Sequence, residues 1–313
     1  MITFIIPTLN AGDKLRNCLD SIRSQKFCQN QVHIVLADGG STDDTLKIAK
    51  EFGCTVFFNH KKLAEEGIKL AMPYIRTEFV TIFASDNELI LDNWIQAIVN
   101  LFYTDYNISA IWGGLIAKKT DPSINRYAMS IQSDPLTWFM NNNLLYYFSK
   151  CGDNFIIEVD PKRPLVWGAN GLTYRTKDIR HIWQREGYLG DNDAFQLMIE
   201  HGDNKVVFTP FLPVYHNHVK SLFHWAGKWK RNFTKHYLSN KKSRNMKWVT
   251  GSSFKLRLIA WLIYVPFFSL PHSIYLAGRD KKLSWLWHSV CSFTQMVTYT
   301  MEYITWKINP KKI

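Results

Sequence analysis

The chain contains no CxxC pair, and its cysteines (Cys18, Cys28, Cys54, Cys151 and Cys291) are odd in number and scattered. That excludes a zinc knuckle or disulfide framework and predicts free thiols in a reducing compartment. No GxGxxG follows the first apolar run, which argues against the usual dinucleotide fingerprint. No secretory leader pattern opens the chain: Ile2-Thr3-Phe4-Ile5-Ile6-Pro7 reads as a short strand beside the first Met. Acidic residues are missing between Val219 and Arg257, and charge of either sign is missing between Leu258 and Gly278. Disorder is excluded as well. The 313 residues are 46% hydrophobic and 15% aromatic, enough to build one large domain with an appendage or two smaller ones.

The first hundred residues alternate strand and helix patterns. Thr3 to Ile6 is apolar, and Pro7-Thr8-Leu9-Asn10-Ala11-Gly12 reads as a loop opening a helix around Leu15, Cys18, Leu19 and Ile22. Val32 to Ala37 is a second strand, running into Asp38-Gly39-Gly40-Ser41-Thr42-Asp43-Asp44-Thr45. There two glycines allow close backbone approach, and Ser41 or Thr42 can cap the next helix. Cys54 to Phe58 is a third strand, and Ala64 to Met72 is helical. Strands at this spacing, with helices between, predict an α/β domain with a mostly parallel sheet and right-handed crossovers.

The organising stretch is Phe79 to Trp94. Phe79-Val80-Thr81-Ile82-Phe83 is aromatic and β-branched without charge, as a strand buried on both faces requires. Ser85, Asp86, Asn87 and Glu88 follow where it would leave the sheet, and helical spacing resumes at Leu91, Trp94, Ile95 and Ile98, with Asp92 placed to favour the helix start. An acidic cluster at the carboxyl end of a buried parallel strand is where open α/β sheets bind ligands. A carboxylate there suits a divalent cation, and a cation suits a phosphate; an ordinary capped β-to-α turn is the plain alternative.

Phe4-Ile5-Ile6-Pro7-Thr8-Leu9-Asn10, then Asp38 to Thr45, then Ser85-Asp86-Asn87, resemble three successive motifs of the inverting family 2 glycosyltransferases. Trp167-Gly168-Ala169-Asn170-Gly171 resembles that family's acceptor-side segment, and Gly190-Asp191-Asn192-Asp193 the motif that usually reads Glu-Asp. The resemblance covers roughly the first 220 residues, with the motifs in family order. It implies a GT-A-like fold, a nucleotide-activated sugar as donor (a UDP-sugar by family habit) and Mn²⁺ or Mg²⁺ as cofactor. By the same resemblance Pro7, Thr8, Asn10, Asp38, Gly39, Gly40, Ser85 and Asp86 hold the donor. Trp167, Gly168, Ala169, Asn170 and Asp193 lie on the acceptor side. The family's metal motif is Asp-x-Asp; here Ala84 stands at the first position and Asp86 at the second.

Each assignment has a plainer counterpart. Asp38 offers an acceptor to a base N–H, or stabilises its own Asp-Gly-Gly bend as an Asx turn. Asp191, at the start of a helix through Ala194, Phe195, Leu197 and Met198, is the general base or only the cap, with Asp193 the second first-turn acid. His216 and His218 fall on one face of an extended segment, so either could complete a metal site, or the pair is structural.

From Val219 to Arg257 lysines and arginines alternate with Phe223, Trp225, Trp229, Phe233, Tyr237 and Trp248. Much of the formal net charge of +12 lies here. Such a stretch suits an anionic membrane surface, a pyrophosphate-linked acceptor or nucleic acid, or forms a solvated basic helix. Leu258 to Gly278 meets the length rule for a membrane span, although Pro266, Pro271 and His272 interrupt it. Leu283 to Trp306 is aromatic but carries His288 and Glu302. Both stretches fit helices in the membrane interface or a shallow hairpin, with basic flanks on the cytoplasmic side. The expected organisation is a catalytic domain over 1–218, a basic-aromatic linker over 219–257 and apolar membrane-associating helices over 258–313. The expected activity is inverting transfer to a hydroxyl of a lipid-linked or envelope glycan, without nucleic acid as partner. An idle sugar-nucleotide-binding scaffold of the same fold, or a nucleic-acid-binding protein, are the rival classes.

Overall fold

A computed structural model describes residues 1–140, 153–162, 165, 167, 170–239 and 254–309. The chain forms two compact bodies: Met1–Ile116 with Phe148–His216, and Ala117–Tyr147 with Asn217–Ile313. The segment 117–147 therefore groups with the C-terminal helices, where the sequence reading drew one continuous domain over 1–218.

The first body is built on an eight-stranded sheet in the order β3-β2-β1-β4-β9-β6-β10-β8. Its strands are β1 (Ile2–Thr8), β2 (Val32–Asp38), β3 (Thr55–Phe58), β4 (Phe79–Ile82), β6 (Ala110–Trp112), β8 (Phe155–Glu158), β9 (Leu172–Arg175) and β10 (Lys205–Phe208). The run β3-β2-β1-β4 is parallel, as the alternating pattern requires, while β9 is antiparallel to both β4 and β6. Helices α1 (Gly12–Arg23), α2 (Thr45–Glu51), α3 (Ala64–Ala71) and α4 (Trp94–Thr104) connect the early strands. Helices α7 (Thr176–Trp183) and α8 (Asp191–Glu200) lie between β9 and β10. All four residues of β4 are buried, so its aromatic and β-branched sequence reports a strand covered on both faces.

Strand β1 runs through Pro7 to Thr8, where the sequence suggested a loop. Its pairing with β4 stops at Ile5↔Ile82, so past Ile5 one side of β1 is an edge and the missing N–H of Pro7 interrupts no ladder there. Helix α2 begins at Thr45, later than a cap at Ser41 or Thr42 would place it. The stretch after Asp86 also differs. Asn87–Leu89 forms a short strand, β5, and α4 starts only at Trp94, leaving Asp92 in a surface ion pair with Lys26 at 2.6 Å. An exposed pair of this kind adds little to stability. β5 joins β11 (Val214–His216) and β7 (Leu115–Ile116) in a small second sheet.

The second body is helical among its described residues: α5 (Ser123–Ile131), α6 (Pro135–Met140), α9 (Leu222–Arg231), a π-helical stretch Asn232–Leu238, α10 (Phe254–Asp280) and α11 (Trp287–Ile308). Ile124, Tyr127, Ile131 and Trp138 of α5 and α6 share one core with Trp225, Leu276, Trp285 and Cys291. Its buried seam also carries polar groups. His288 bridges the hydroxyls of Tyr127 and Tyr264 at 2.9 Å each, and Gln295 donates to Asp134 Oδ1 at 2.6 Å and accepts from the Leu136 N–H at 3.0 Å. The outer side is apolar and exposed, with Ile259, Ile263, Phe267, Leu270 and Ile274 on α10 and Phe293, Met301, Ile304 and Ile308 on α11. Helix α10 continues through Pro266 and Pro271, which the sequence suggested as breaks. Along it Ser269 and Ser273 bond back to the carbonyls of Val265 and Ser269. Among the described residues it is the one helix long and apolar enough to cross a membrane.

Gly171 opens β9 at φ +77, and a Cβ there would lie 2.6 Å from Val214 Cγ2. Gly187, at φ +80, has nothing within 4 Å. Gly171→Ala should destabilise by about 2–4 kcal/mol, combining backbone strain with overlap, and Gly187→Ala by about 1–2 kcal/mol. Thermal unfolding of the two variants compares them, and equal shifts would show that β11 does not press on residue 171.

Candidate functional site

Parallel pairing brings the carboxyl ends of β1, β2 and β4 to one edge of the sheet. β9, antiparallel to β4, starts at that edge: Leu172 pairs with Ile82, and the Gly171 N–H donates to the Ile82 carbonyl at 2.9 Å. Topology therefore assembles Thr8, Asp38, Asp86 and Asn170 from four distant segments, at the kind of edge where open α/β sheets take ligands.

At the first two strand ends the loops are knitted together. The carboxylate of Asp38 is fully buried. Its Oδ2 accepts the Gly40 and Ser41 N–H groups at 2.8 Å each, and its Oδ1 accepts the Thr8 and Ser41 hydroxyls. The Asx-turn reading of Asp38 is therefore what the structure displays; the side chain is turned into its own bend and not presented outward. Asn10 links the neighbouring loop, since its N–H donates to Ser41 Oγ and its Oδ1 accepts the Thr42 N–H, both at 2.9 Å. Asn10 takes φ 51, which asparagine tolerates better than most residues. Thus Ser41 and Thr42 secure this double loop and do not cap α2. Gly40, at φ +89 with open space around it, supplies the left-handed turn residue.

At the end of β4, Asp86 is half-buried and His216 is buried. His216 Nδ1 stands 3.3 Å from Asp86 Oδ1, and Lys14 Nζ stands 3.5 Å from Asp86 Oδ2. Asn170 Nδ2 lies 3.5 Å from His216 Nε2. Asp86 and His216 belong to a group of ligand-capable side chains whose donor atoms lie within 4.8 Å of one another. Two donors bound to one cation at about 2.0–2.2 Å each stand roughly 3 Å apart, so a carboxylate and an imidazole at this separation fit a divalent ion. The strand behind them is pinned: Cys18 Sγ donates to the Ala84 carbonyl at 3.6 Å. Burial first, and the negative charge of Asp86 second, push the Cys18 thiol well above its ordinary range, so it stays protonated.

The other sequence candidates separate. Asp191 is half-buried at the first position of α8. Asp193 is buried and its carboxylate accepts the Gly190 N–H at 3.2 Å, so the capping role belongs to Asp193, not Asp191. Asp191 acts on Tyr174 of β9, whose hydroxyl is raised well above its ordinary range, by burial first and by that carboxylate second. Trp167 is a core residue, stacked on Phe195 at 5.3 Å, whereas Asn170 does reach the site. Gly168 and Ala169 lie outside the described residues. Ser85 is half-buried beside Asp86. His218 belongs to the second body, where Asn125 Oδ1 accepts the N–H groups of His218 and Val219 at 3.1 and 3.0 Å, and Lys228 Nζ bonds His218 Nε2. Sequence reasoning missed Lys14 and Asn125. A lysine in a helix's first turn, where cations are disfavoured, was the available signal for the former.

A family-wide sequence model, "Glycosyl transferase family 2", matches residues 3–158. The O-antigen chain rhamnosyltransferase RfbN of Salmonella typhimurium is 32% identical over 123 residues, 38% of this chain and 38% of that protein. Glycosyltransferase GlyA of Streptococcus pneumoniae is 24% identical over 238 residues, 73% of this chain and 32% of that protein. The matched stretches thus span about a third of those relatives' own lengths. Among solved structures, the mannosyltransferase PcManGT from Pyrobaculum calidifontis, in complex with GDP-Man and Mn²⁺, superposes with a TM-score of 0.55. It is 12% identical, covering 96% of this chain and 87% of the other. TarS 1-349 of S. aureus gives 0.51 at 14% identity, covering 94% and 90%. At those identities the likeness concerns the fold, which is that of GT-A enzymes.

The metal assignment is checked by calorimetry. Asp86→Ala should abolish Mn²⁺ binding with an unchanged far-UV spectrum, and His216→Ala should weaken it by about tenfold or more. Undiminished Mn²⁺ affinity in Asp86→Ala would sink the site.

Proposed function

As this chain belongs to glycosyl transferase family 2, we propose that it transfers a sugar from a nucleoside-diphosphate sugar, UDP-linked, to a hydroxyl of a lipid-linked or envelope glycan, with inversion. The observation that carries this reading is the Asp86–His216 pair at 3.3 Å, set at the sheet edge where the 8–10 and 38–42 loops interlock. Those loops form the nucleotide cradle. Pro7, Thr8, Asn10, Gly39, Gly40 and Ser85 line it, and Asp38 acts by fixing its shape. UDP follows from the family resemblance; a GDP-sugar, as in the PcManGT complex with GDP-Man, is the first alternative to test.

The reacting groups of the chain then divide as follows. Asp191 takes the proton of the acceptor hydroxyl, and its place at a helix N-terminus keeps the carboxylate ionised. The hydroxyl oxygen forms a bond to the anomeric carbon as the carbon–oxygen bond to the diphosphate breaks on the opposite face. Asp193 holds the start of the helix, and Asn170 orients His216. Asp86 and His216 would hold a divalent cation; such an ion supplies neutralisation of the leaving diphosphate. Imidazole ligands favour Mn²⁺ over Mg²⁺.

The acceptor class rests on the second body. Besides its apolar core, this body has an exposed apolar outer side that a water-soluble helix pair would not present. It suits helices lying in the cytoplasmic membrane interface, with the exposed Lys220, Lys230, Arg231 and Lys235 toward anionic headgroups. An acceptor carried on a lipid would be presented at that surface.

Two measurements test the reading. Asp191→Asn keeps shape and an acceptor oxygen but cannot take a proton, so turnover of UDP-sugar should fall by at least about 100-fold with UDP binding nearly unchanged. Retained turnover would remove Asp191 as base, and no hydrolysis or transfer from any nucleotide sugar would mark an idle relative. On membranes, apolar burial is insensitive to screening whereas the basic contribution of about 1 kcal/mol per residue is not. High salt should leave the full chain membrane-bound and detergent should release it. Purification as a soluble monomer without detergent would overturn the membrane assignment.

A further inference from the structure

Lys14 is the third residue of α1 and so stands in its first turn, the end of a helix that disfavours a cation. Its ammonium is directed to Asp86 Oδ2 at 3.5 Å, while the other oxygen of Asp86 faces His216 at 3.3 Å. The lysine side chain remains 43% exposed and that of Asp86 only 16%, so the ammonium can leave while the carboxylate is fixed. Ala84 supplies no second carboxylate at this site. We propose that Lys14 is the second cation of the diphosphate site: it pairs with Asp86 in the free protein and passes to a phosphate oxygen when nucleotide and metal bind. The proposal rests on the metal-dependent donor site argued above.

The charges support this. A divalent ion at Asp86 competes with the Lys14 ammonium for the same carboxylate, so ammonium and metal oppose each other and metal alone binds weakly. The two ionised phosphates of a nucleotide sugar attract both cations and relieve that competition. Each ligand therefore strengthens the other, and the exchange moves an ammonium from a carboxylate to a phosphate without any covalent step. A lysine suits this better than an arginine bound in a bidentate fork, since its compact charge on a flexible stem can change partner.

The experiment is calorimetric titration of the full chain with Mn²⁺ alone, and with Mn²⁺ at saturating UDP, repeated with GDP. In the wild type UDP should raise Mn²⁺ affinity by about tenfold or more, within the usual range of coupling between sites. Lys14→Met keeps the stem and removes the charge. It should bind Mn²⁺ alone as tightly as the wild type or a few-fold tighter, and bind UDP with Mn²⁺ about tenfold more weakly, the loss of one charged hydrogen bond. The coupling should shrink accordingly, and Lys14→Arg should restore a part of it. A Lys14→Met protein with UDP affinity and coupling within twofold of the wild type overturns the role of Lys14 alone. A wild type that binds neither UDP nor GDP with Mn²⁺ overturns the donor-site reading, and the role of Lys14 with it.

Discussion

The pairing of β5 with β11 is the constraint on which the site depends. Asn87, Glu88 and Leu89 lie opposite His216, Tyr215 and Val214, and this register sets His216 against Asp86. A slip by one residue would turn every side chain of β11 to the opposite face and carry His216 away from the carboxylate. The register is secured from both sides. On β11, Val214 also pairs with Leu115 and packs on Gly171; on β5, the Leu89 N–H donates to Ser21 Oγ of α1 at 3.0 Å. Trp94, fully buried, donates its indole N–H to the Leu212 carbonyl at 2.8 Å, which ties α4 to the segment just before β11. Three short strands thus hold a geometry that none of them could specify alone.

This explains what could be read from the sequence and what could not. The parallel strands were legible because burial on both faces leaves continuous apolar runs such as Phe79 to Ile82. Asp86 was marked because it comes three residues after Phe83, the end of such a run, where a strand leaves its sheet. β5 was not, since Asn87, Glu88 and Leu89 have no strand propensity worth noting and form a strand only by pairing with residues far along the chain. The division of labour between Asp191 and Asp193 was equally hidden. Both sit in the first turn, and only burial shows which one closes the cap. For Asp38 the sequence left two possible roles open. Four hydrogen bonds within the loop pair place it as the organiser of that bend.

The apolar C-terminal run was legible by composition, but the partner it buries against was not. Of the polar residues inside that run, His272 read as an interruption and His288 as a polar residue of the second stretch, while Gln295 drew no reading. They are instead the inward-facing groups, satisfied by Tyr264, Tyr127 and Asp134. Helix α10 tolerates its two prolines, and Ser269 and Ser273 bond to carbonyls along the same stretch.

The chain's double visit to the second body bears on how the protein is made. Ile124, Tyr127, Ile131 and Trp138 are synthesised well before Leu276, Trp285 and Cys291, which share their core. At ribosomal speeds of about 5–20 residues per second, roughly 10–30 seconds separate the emergence of the two halves. During that interval α5 and α6 lack the apolar surface they will bury, and contacts of such wide sequence separation form late. Deleting the C-terminal helices would make this transient exposure permanent. The solubility of a shortened chain is therefore set by residues near 130 as much as by those removed.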